Sequence, residues 1–319
     1  MGDMHACDEE RAALLALLDE RPALGDEQQG KTAWSTIASE VAQRGSAVAL
    51  WDESHPLTLD GMDDANGALA RAHAQLDEWR ESDFELITVL DSEYPLALRG
   101  IHQLPPVLFV KGNLLADEVS VSVVGSRKST RRGCGVASNV AKGLVERGIS
   151  VISGLAAGID TAAHEATIAA GGRPVGVLGT GINLVYPPEN RELHERVAAA
   201  GALVSQFMPD AAPLKHTFPM RNATMSGLGR ASVIVEAGEY SGTRILARLA
   251  VEHGRAVILT DDVANSTRWG RQLLGRPGVY VAGSTDDVMR IVEQVVCDPD
   301  LGASAAVLAR PAARAADPE

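Results

Sequence analysis

Apolar runs and helical patterns alternate through the middle of this 319-residue chain, and glycine-rich turns stand between them. The stretch from Val123 to Ala237 holds several such turns, each directly after an apolar run. Parallel strands need crossover connections, usually helices, so this alternation indicates an α/β fold. Glycine lets each turn bend tightly, and the helix that follows offers backbone N–H groups. The stretch therefore predicts a phosphate-binding surface.

The predicted strands are mostly apolar at consecutive positions, which is typical of strands covered on both faces. We therefore expect a parallel sheet with helices on both faces. Two shorter apolar runs, Leu86 to Leu90 and Val107 to Val110, precede the series and are predicted to be edge strands. The strands of the main series are Val119 to Val124, Ser150 to Ile152, Pro174 to Leu178, Leu203-Val204, Val233 to Val235 and Ala256 to Leu259.

The flanks of the series have a different composition. Residues 1–82 are acidic and follow a helical pattern, which predicts a small helical domain before the α/β core of residues 83–297. Residues 298–319 contain too few large apolar side chains to fold and are predicted to be a disordered tail. Helices are expected from Glu9, with one apolar face, near Trp34 to Gln43, and from Ala65 to Trp79. The predicted apolar face of the first helix consists of Ala13, Leu14, Leu17 and Leu18.

Charge is divided unevenly along the chain. The whole chain has 29 Lys and Arg against 42 Asp and Glu, a net charge of −13. Residues 111–293 hold 20 basic and 17 acidic side chains, whereas the flanks hold 9 and 25. The core can therefore present a basic face, while the acidic flanks weaken non-specific attraction to polyanions.

Cys7, Cys134 and Cys297 are scattered and form neither a disulfide framework nor a CxxC metal pattern. No apolar run approaches the roughly 20 residues that span a bilayer, and the N-terminus has no signal-like segment. We expect a soluble, cytoplasmic protein without a metal, a cofactor or a membrane partner.

The first turn, Gly125-Ser126-Arg127, lies between a predicted strand and a helix that starts near Gly133. Arg127 adds a fork of donors suited to phosphate oxygens. The turn matches neither the GxGxxG fingerprint nor the GxxxxGK[ST] loop. In isolation, a polar surface turn explains it equally well.

The second turn begins at Ser153-Gly154, and Asp160 is positioned to cap the helix that follows. His164 lies four residues later. It is either a catalytic base or, as we favour, a partner of the Asp160 carboxylate. A third turn, Gly179-Thr180-Gly181, leads to Tyr186, which either stacks a nucleic-acid base or packs on the sheet.

Lys215 and Arg221 flank an aromatic residue and a proline at a predicted helix start, a combination suited to a nucleic-acid backbone. Glu236 ends a later strand. It is either a general acid or base, or an acceptor for nearby backbone N–H groups. We favour the second role, because no second carboxylate, nucleophile or metal cluster stands at motif spacing.

Taken together, these elements resemble the DNA-processing protein A family, also called DprA or Smf. The similarity covers roughly Phe84 to Gly283. The motifs that carry it, in order, are Gly125-Ser126-Arg127, Ser153-Gly154-Leu155-Ala156, Gly158-Ile159-Asp160 with His164, Gly179-Thr180-Gly181, Tyr186-Pro187, Asn190, Phe218-Pro219, Arg221-Asn222, Val235-Glu236-Ala237 and Ser241-Gly242.

The resemblance implies an extended Rossmann-like domain that binds single-stranded DNA, forms a homodimer and loads the RecA recombinase during uptake of foreign DNA, without catalysis. It implies that Arg127 and Lys215 hold phosphates and that Arg221 and Asn222 shape or line the same groove. Close approach of the backbone to DNA is implied for Gly125, Ser126, Ser153 and Gly154.

The chain departs from the family pattern at two places near the expected groove. Ala223 stands where the family usually has an arginine, and Asp261-Asp262 replaces a proline-glycine turn. These changes either weaken DNA binding by the groove or alter its preference, and the sequence leaves both possibilities open. The tail after Val296 is also too short and too poor in apolar residues for the C-terminal winged-helix domain of many members.

A single-stranded DNA-binding recombination mediator is therefore the favoured function. The alternative is a nucleotide-binding or nucleotide-hydrolysing enzyme of the same Rossmann-like superfamily, with Glu236 as its catalytic residue. The proline-glycine-glycine signature of the related hydrolases is absent from the chain. A diverged relative with a specialised protein partner is a third possibility.

Overall fold

The computed structural model describes residues 2–20, 33–56 and 64–297. The predicted disordered tail, residues 298–319, lies outside these ranges. Among the helices in these ranges, none combines the length and the apolar character that a bilayer crossing requires.

The N-terminal helices pack around the first of them, α1 (Gly2–Glu20). Every side chain from Ala12 to Leu18 is buried, and α1 contacts the three helices that follow it. The prediction of one apolar face is therefore wrong for α1, because a central helix is enclosed on all sides. The helices are α1 Gly2–Glu20, α2 Ala33–Arg44, α3 Ala47–Ser54 and α4 Asp64–Trp79.

Helix α3 was not indicated by sequence periodicity, and its start depends on a distant residue. Glu10 of α1 accepts hydrogen bonds from the backbone N–H groups of Ala47 at 2.5 Å and Val48 at 3.1 Å. Ser46 caps the same turn by accepting a hydrogen bond from the N–H of Ala49 at 3.0 Å. A carboxylate at a helix N-terminus satisfies donors that the helix itself leaves free.

In the described part of the chain, nine strands form one sheet in the order β1-β2-β6-β5-β4-β3-β7-β8-β9. The strands from β6 to β9 in this order run parallel, whereas β2 is antiparallel to both of its neighbours. The strands are β1 Glu85–Thr88, β2 Val107–Gly112, β3 Ser120–Gly125, β4 Ser150–Ser153, β5 Pro174–Val177, β6 Ala202–Ser205, β7 Ala231–Glu236, β8 Ala256–Thr260 and β9 Val279–Ala282.

This topology confirms the predicted Rossmann-like fold and corrects the prediction of which strands lie at the edges of the sheet. Of the two predicted edge strands, β1 is at an edge, but β2 lies inside the sheet. The opposite edge is β9, a short strand outside the predicted set. The main-series strands are buried almost throughout, as continuous apolar runs require when helices cover both faces.

Right-handed crossovers place α5, α6 and α7 on one face of the sheet, and the return from β6 through α8 to β7 places α8 and α9 on the other. Helix α12 packs against α5, and α8 packs against α9. The remaining helices are α5 Arg131–Val145, α6 Ile159–Ala169, α7 Arg191–Ala200, α8 Thr217–Leu228, α9 Thr243–Glu252, α10 Asp261–Ser266, α11 Arg268–Leu273 and α12 Thr285–Cys297.

The strand order reverses between β3 and β7. After β3 the chain turns to one face, and after β7 it turns to the other, so the carboxyl ends of these two neighbours border a crevice. Open α/β sheets bind ligands at such a reversal point. The first turn and Glu236 both lie here, because Gly125 pairs with Glu236 after a register shift at the end of β3.

The helical region joins the sheet at its far end. The rings of Trp79, Phe84 and Phe109 contact one another edge to face, with centroids 5.1 to 6.1 Å apart. Arg11 of α1 also pairs with Asp91 after β1 at 3.2 Å. Because the acidic helices pack at the β1–β2 end, their negative charge lies several strands from the β3–β7 crevice.

Candidate functional site

Glu236 fixes the beginning of α5. Its carboxylate accepts hydrogen bonds from the backbone N–H of Thr130 at 3.1 Å and from the Thr130 hydroxyl at 2.7 Å. A Cβ atom on Gly133 would lie 2.1 Å from Glu236 Oε2, so a larger residue there would displace the carboxylate. The backbone carbonyl of Glu236 also accepts a hydrogen bond from the N–H of Ser126 at 2.7 Å. The favoured interpretation of Glu236 as an acceptor for backbone donors agrees with this geometry.

The contact between Glu236 and Thr130 limits which groups of the first turn can bind a ligand. The Glu236 carboxylate lies beside the N-terminus of α5, and the Thr130 hydroxyl accepts the N–H of Gly133 at 2.9 Å, so these groups occupy part of the place where an external anion is expected. Gly125 is required by internal packing, because a Cβ atom there would lie 2.6 Å from Ile159 Cγ1. Ser126 closes the turn by accepting a hydrogen bond from the N–H of Lys128 at 3.1 Å. The side chains of Arg127 and the adjacent Lys128 remain as exposed donors.

The second turn lies beneath the surface. Ser153 is fully buried, and its hydroxyl donates a hydrogen bond to the carbonyl of Val123 at 2.7 Å. A Cβ atom on Gly154 would lie 1.4 Å from Nη1 of Arg221, so this glycine makes room for the guanidinium. The close approach of DNA expected at Ser153 and Gly154 is replaced by a supporting role from below.

Arg221 and Asp160 are both buried, and each charge influences the pKa of the other group. Nη1 of Arg221 donates to the carbonyl of Val177 at 3.2 Å, and the N–H of Gly154 donates to Asp160 Oδ2 at 3.2 Å. Burial raises the pKa of Asp160 above its ordinary value, and the Arg221 charge and nearby backbone donors oppose that rise. Burial likewise lowers the pKa of Arg221, against the influence of Asp160. Arg221 therefore shapes the site from inside.

The exposed part of the site is built around the ring of Phe218. The Arg127 guanidinium carbon lies 5.1 Å from the centre of this ring, and the centre of the Tyr186 ring lies 5.6 Å from it. Tyr186 is 38% exposed. Lys215 is also exposed and lies three residues before Phe218 in the chain. We call Arg127, Tyr186, Lys215 and Phe218 the Phe218 surface.

The third turn and α8 hold Phe218 in place. A Cβ atom on Gly179 would lie 2.8 Å from the Phe218 ring, so the glycine allows the ring to approach the backbone. The Thr217 hydroxyl donates to the carbonyl of Gly179 at 2.6 Å. Asn222, one helical turn further on, is buried and donates to the carbonyl of Gly242 at 3.3 Å, so it links α8 to the loop after β7.

Sequence reasoning identified Arg127 and Lys215 but did not commit to either aromatic residue. Phe218 and Tyr186 are 32 positions apart in the sequence. The available signal was the placement of Phe218 between two basic residues at a helix start. Only the approach of α8 to the third turn brings the two rings together.

His164 is fully buried, and neither ring nitrogen has a hydrogen-bond partner within the described residues. The predicted pairing with Asp160 is therefore wrong, since Asp160 is engaged by backbone donors. Burial lowers the pKa of His164 to about 3. Burial also lowers the pKa of His194, to about 4. Neither histidine is available as a base at the surface.

The two departures from the family pattern lie in different helices, α8 and α10. Ala223 is 2% exposed within α8. Asp261 and Asp262 occupy the first turn of α10, where acidic side chains suit the helix dipole. Asp262 also lies 3.7 Å from Arg132. In the part of the chain that the structure describes, no three His, Cys, Asp or Glu side chains are grouped to hold a metal ion.

Comparison with known proteins places these features in a family. The family model described as DNA recombination-mediator protein A matches residues 85–293. The Smf protein of Synechocystis is 38% identical over 187 residues, which are 57% of this chain and 47% of that protein. DNA processing protein DprA of Bacillus subtilis is 38% identical over 181 residues, 56% of this chain and 61% of that protein. The chain thus spans about half to three fifths of these relatives.

Solved structures show the same fold. DNA processing protein A of Streptococcus pneumoniae is 31% identical with a TM-score of 0.62, covering 81% of this chain and 95% of that one. A structure of DNA processing protein A from Helicobacter pylori, described for its single-stranded DNA binding mode, has a TM-score of 0.59 at 22% identity. It covers 66% of this chain and 97% of that one, and at this identity it bears on the fold alone.

The contact between Gly154 and Arg221 predicts a large difference between two glycine substitutions. Gly154→Ala should lower the free energy of unfolding by about 1–3 kcal/mol, because the new methyl group overlaps the buried guanidinium. Gly135→Ala in α5 meets no atom within 4 Å and should raise stability by up to about 1 kcal/mol. Urea denaturation measures both. Equal effects would contradict this packing of Arg221 against Gly154.

The buried His164 predicts a stability that falls in mild acid. Its folded pKa of about 3 lies below the ordinary histidine value, so below about pH 6.5 the unfolded chain binds a proton that the folded chain does not. The free energy of unfolding should then drop by about 1.4 kcal/mol per pH unit from this residue. Urea titrations between pH 7.5 and 5 measure the slope. His164→Gln should reduce it, and an unchanged slope would refute this origin.

Proposed function

The chain belongs to the DNA recombination-mediator protein A family, and we propose that it binds single-stranded DNA at the Phe218 surface and acts as a recombination mediator. The observation that carries the proposal is the position of the Arg127 guanidinium 5.1 Å from the centre of the Phe218 ring, beside the exposed ring of Tyr186. This arrangement offers a phosphate donor and a stacking surface side by side.

The chemistry of the Phe218 surface favours a single strand over a duplex. Unpaired bases stack on aromatic side chains, and each such contact contributes about 1–3 kcal/mol regardless of base identity. Bases in a duplex are already stacked on one another and are not available to Tyr186 or Phe218. The guanidinium of Arg127 and the ammonium of Lys215 supply the sequence-independent attraction to phosphates.

Charge distribution supports the same proposal. The acidic helices pack at the β1–β2 end of the sheet, so the Phe218 surface is separated from most of the flanking negative charge. Exposed Arg127 and Lys128 lie together on the first turn, close to the β3–β7 crevice. A strand that follows this crevice meets basic side chains before it meets the acidic helices.

We propose that binding requires no catalysis. Glu236, the candidate residue for a nucleotide-hydrolysing alternative, uses its carboxylate to hold Thr130 at the start of α5. That contact explains the residue without a substrate. His164 and His194 are buried, with pKa values lowered to about 3 and about 4, and do not supply a base.

The proposed role extends to partners. A mediator must hand its strand to a recombinase, and we propose RecA as that partner. We further propose a homodimer as the active form and the cytoplasm as its location, where a recombinase and incoming DNA are both present. The family relationship supports these assignments, and each depends on the DNA-binding role.

Binding to single-stranded DNA should weaken steeply with salt, and Arg127→Ala should reduce the slope of log K against log salt by about 0.7, the contribution of one phosphate contact to a single strand. At about 0.1 M salt the variant should bind about tenfold or more weakly, because it cannot form the charge-assisted hydrogen bond to phosphate. Fluorescence anisotropy of a labelled oligothymidylate measures both effects. Arg71→Ala, an exposed arginine of α4, is the matched control and should behave as the wild type. No binding at low salt would refute the proposal.

The mediator role predicts faster RecA assembly on single-stranded DNA that is already coated with single-strand binding protein. Wild-type protein should shorten the lag of RecA-dependent ATP hydrolysis, and Arg127→Ala should not, because it fails to hold the strand. Sedimentation should show a mass twice that of the chain. A lag that does not respond to wild-type protein would reject RecA loading while leaving DNA binding intact.

A further inference from the structure

A second basic surface lies on the face of the sheet that carries α9 and α11. Four arginines, Arg244, Arg248, Arg268 and Arg276, line an open groove of about 690 Å³ between these helices. We call it the arginine groove. In a chain of net charge −13, such a concentration of positive charge at one groove marks a surface suited to a polyanion.

The groove has little internal compensation for its charge. Among the described residues that line it, Glu239 is the one acidic side chain, and its carboxylate accepts a hydrogen bond from the backbone N–H of Arg268 at 2.7 Å. Arg248 pairs with Glu252 within α9 at 3.5 Å, but both side chains are about half exposed or more, so this pair contributes little. The floor is formed by Trp269 and Leu273, which are buried.

The loop after β7 connects the arginine groove to the β3–β7 crevice. On the crevice side, Asn222 donates to the carbonyl of Gly242 at 3.3 Å, and the Thr243 hydroxyl donates to the carbonyl of Gly125 at 3.5 Å. The end of the loop is thus tied to the first turn, next to Arg127.

On the groove side, the same loop is tied to α11. The indole N–H of Trp269 donates to the carbonyl of Gly238 at 3.2 Å, and Glu239 accepts the bond from Arg268. Tyr240 lies between the two anchored ends and is 95% exposed. The six residues from 237 to 242 span at most roughly 20 Å, so the crevice and the groove are within reach of one strand.

We propose that the arginine groove is a second binding segment for single-stranded DNA, which continues from the Phe218 surface past Tyr240. The proposal rests on the DNA-binding role of the Phe218 surface and extends it. Arginine forks bind phosphate oxygens in the groove, and the Tyr240 ring stacks a base at the crossing between the two surfaces.

Two features favour a nucleic-acid strand over an acidic protein segment. A tyrosine that is almost fully exposed has no packing function in the chain, whereas a strand passing over it supplies a base for its ring. The groove is also continuous with a surface that already combines arginine and aromatic side chains. A strand bound at both places gains affinity from the second segment without a new partner.

The test compares labelled oligothymidylates of about 6 and about 20 nucleotides, since one binding module typically covers about 4–16 nucleotides. The double variant Arg248→Gln and Arg276→Gln should bind the short oligonucleotide like the wild type. It should bind the long one at least about fivefold more weakly, with a salt slope smaller by about 0.7 for each phosphate that is no longer neutralised. Tyr240→Ala should also weaken binding of the long oligonucleotide and leave binding of the short one unchanged.

Arg290→Gln is the matched control, because Arg290 is an exposed helix arginine with a local ion pair, like Arg248, but it lies on α12 at the opposite face. If the double variant and the control bind the long oligonucleotide equally, the arginine groove is not part of the path. If the double variant instead loses self-association in sedimentation and keeps full DNA affinity, the groove is a protein interface and the proposal is overturned. If Arg127→Ala does not weaken binding of the short oligonucleotide, the proposed DNA-binding role of the Phe218 surface is refuted instead.

Discussion

The buried guanidinium of Arg221 is the contact on which the site depends. It comes from α8, occupies the space that Gly154 leaves free after β4, and donates to Val177 at the end of β5. The neighbouring Asp160 supplies the opposite charge. Burying a charge is costly, and the Val177 carbonyl and the nearby Asp160 charge offset part of that cost. One side chain thus couples three elements of the fold. Phe218, one helical turn before Arg221, is thereby presented at the surface.

Around this contact, the devices that commonly bind phosphate are used internally. The N-terminus of α5 holds the Glu236 carboxylate, Gly125 accommodates Ile159, and Gly154 accommodates Arg221. The backbone and its glycines therefore serve the internal packing of the site. The groups that face the surface are side chains, the Arg127 guanidinium and the rings of Tyr186 and Phe218. Such a surface suits an extended strand with alternating phosphates and bases better than one compact phosphate group.

Topology reconciles this basic surface with an acidic chain. The acidic helices attach through the Trp79, Phe84 and Phe109 rings at the β1–β2 end, whereas the reversal of strand order lies at β3 and β7. The sequence already shows that most of the negative charge lies in the flanks and not in the core. In the folded chain, the sheet also places the acidic helices several strands away from the crevice. The loop after β7 then links the crevice to the arginine groove, so the basic side chains form a path across the sheet rather than an isolated patch.

The sequence by itself determined the α/β class, nearly every strand of the sheet and the turns at their carboxyl ends, because continuous apolar runs and glycine positions are local signals. It also singled out Arg127, Lys215 and Arg221. Only the tertiary structure decided that Arg221 is buried while Arg127 is exposed, that Glu236 binds the start of α5, and that Tyr186 meets Phe218. These facts depend on contacts between residues far apart in the chain. The burial of a charge or the approach of two rings is fixed by packing and leaves no local pattern.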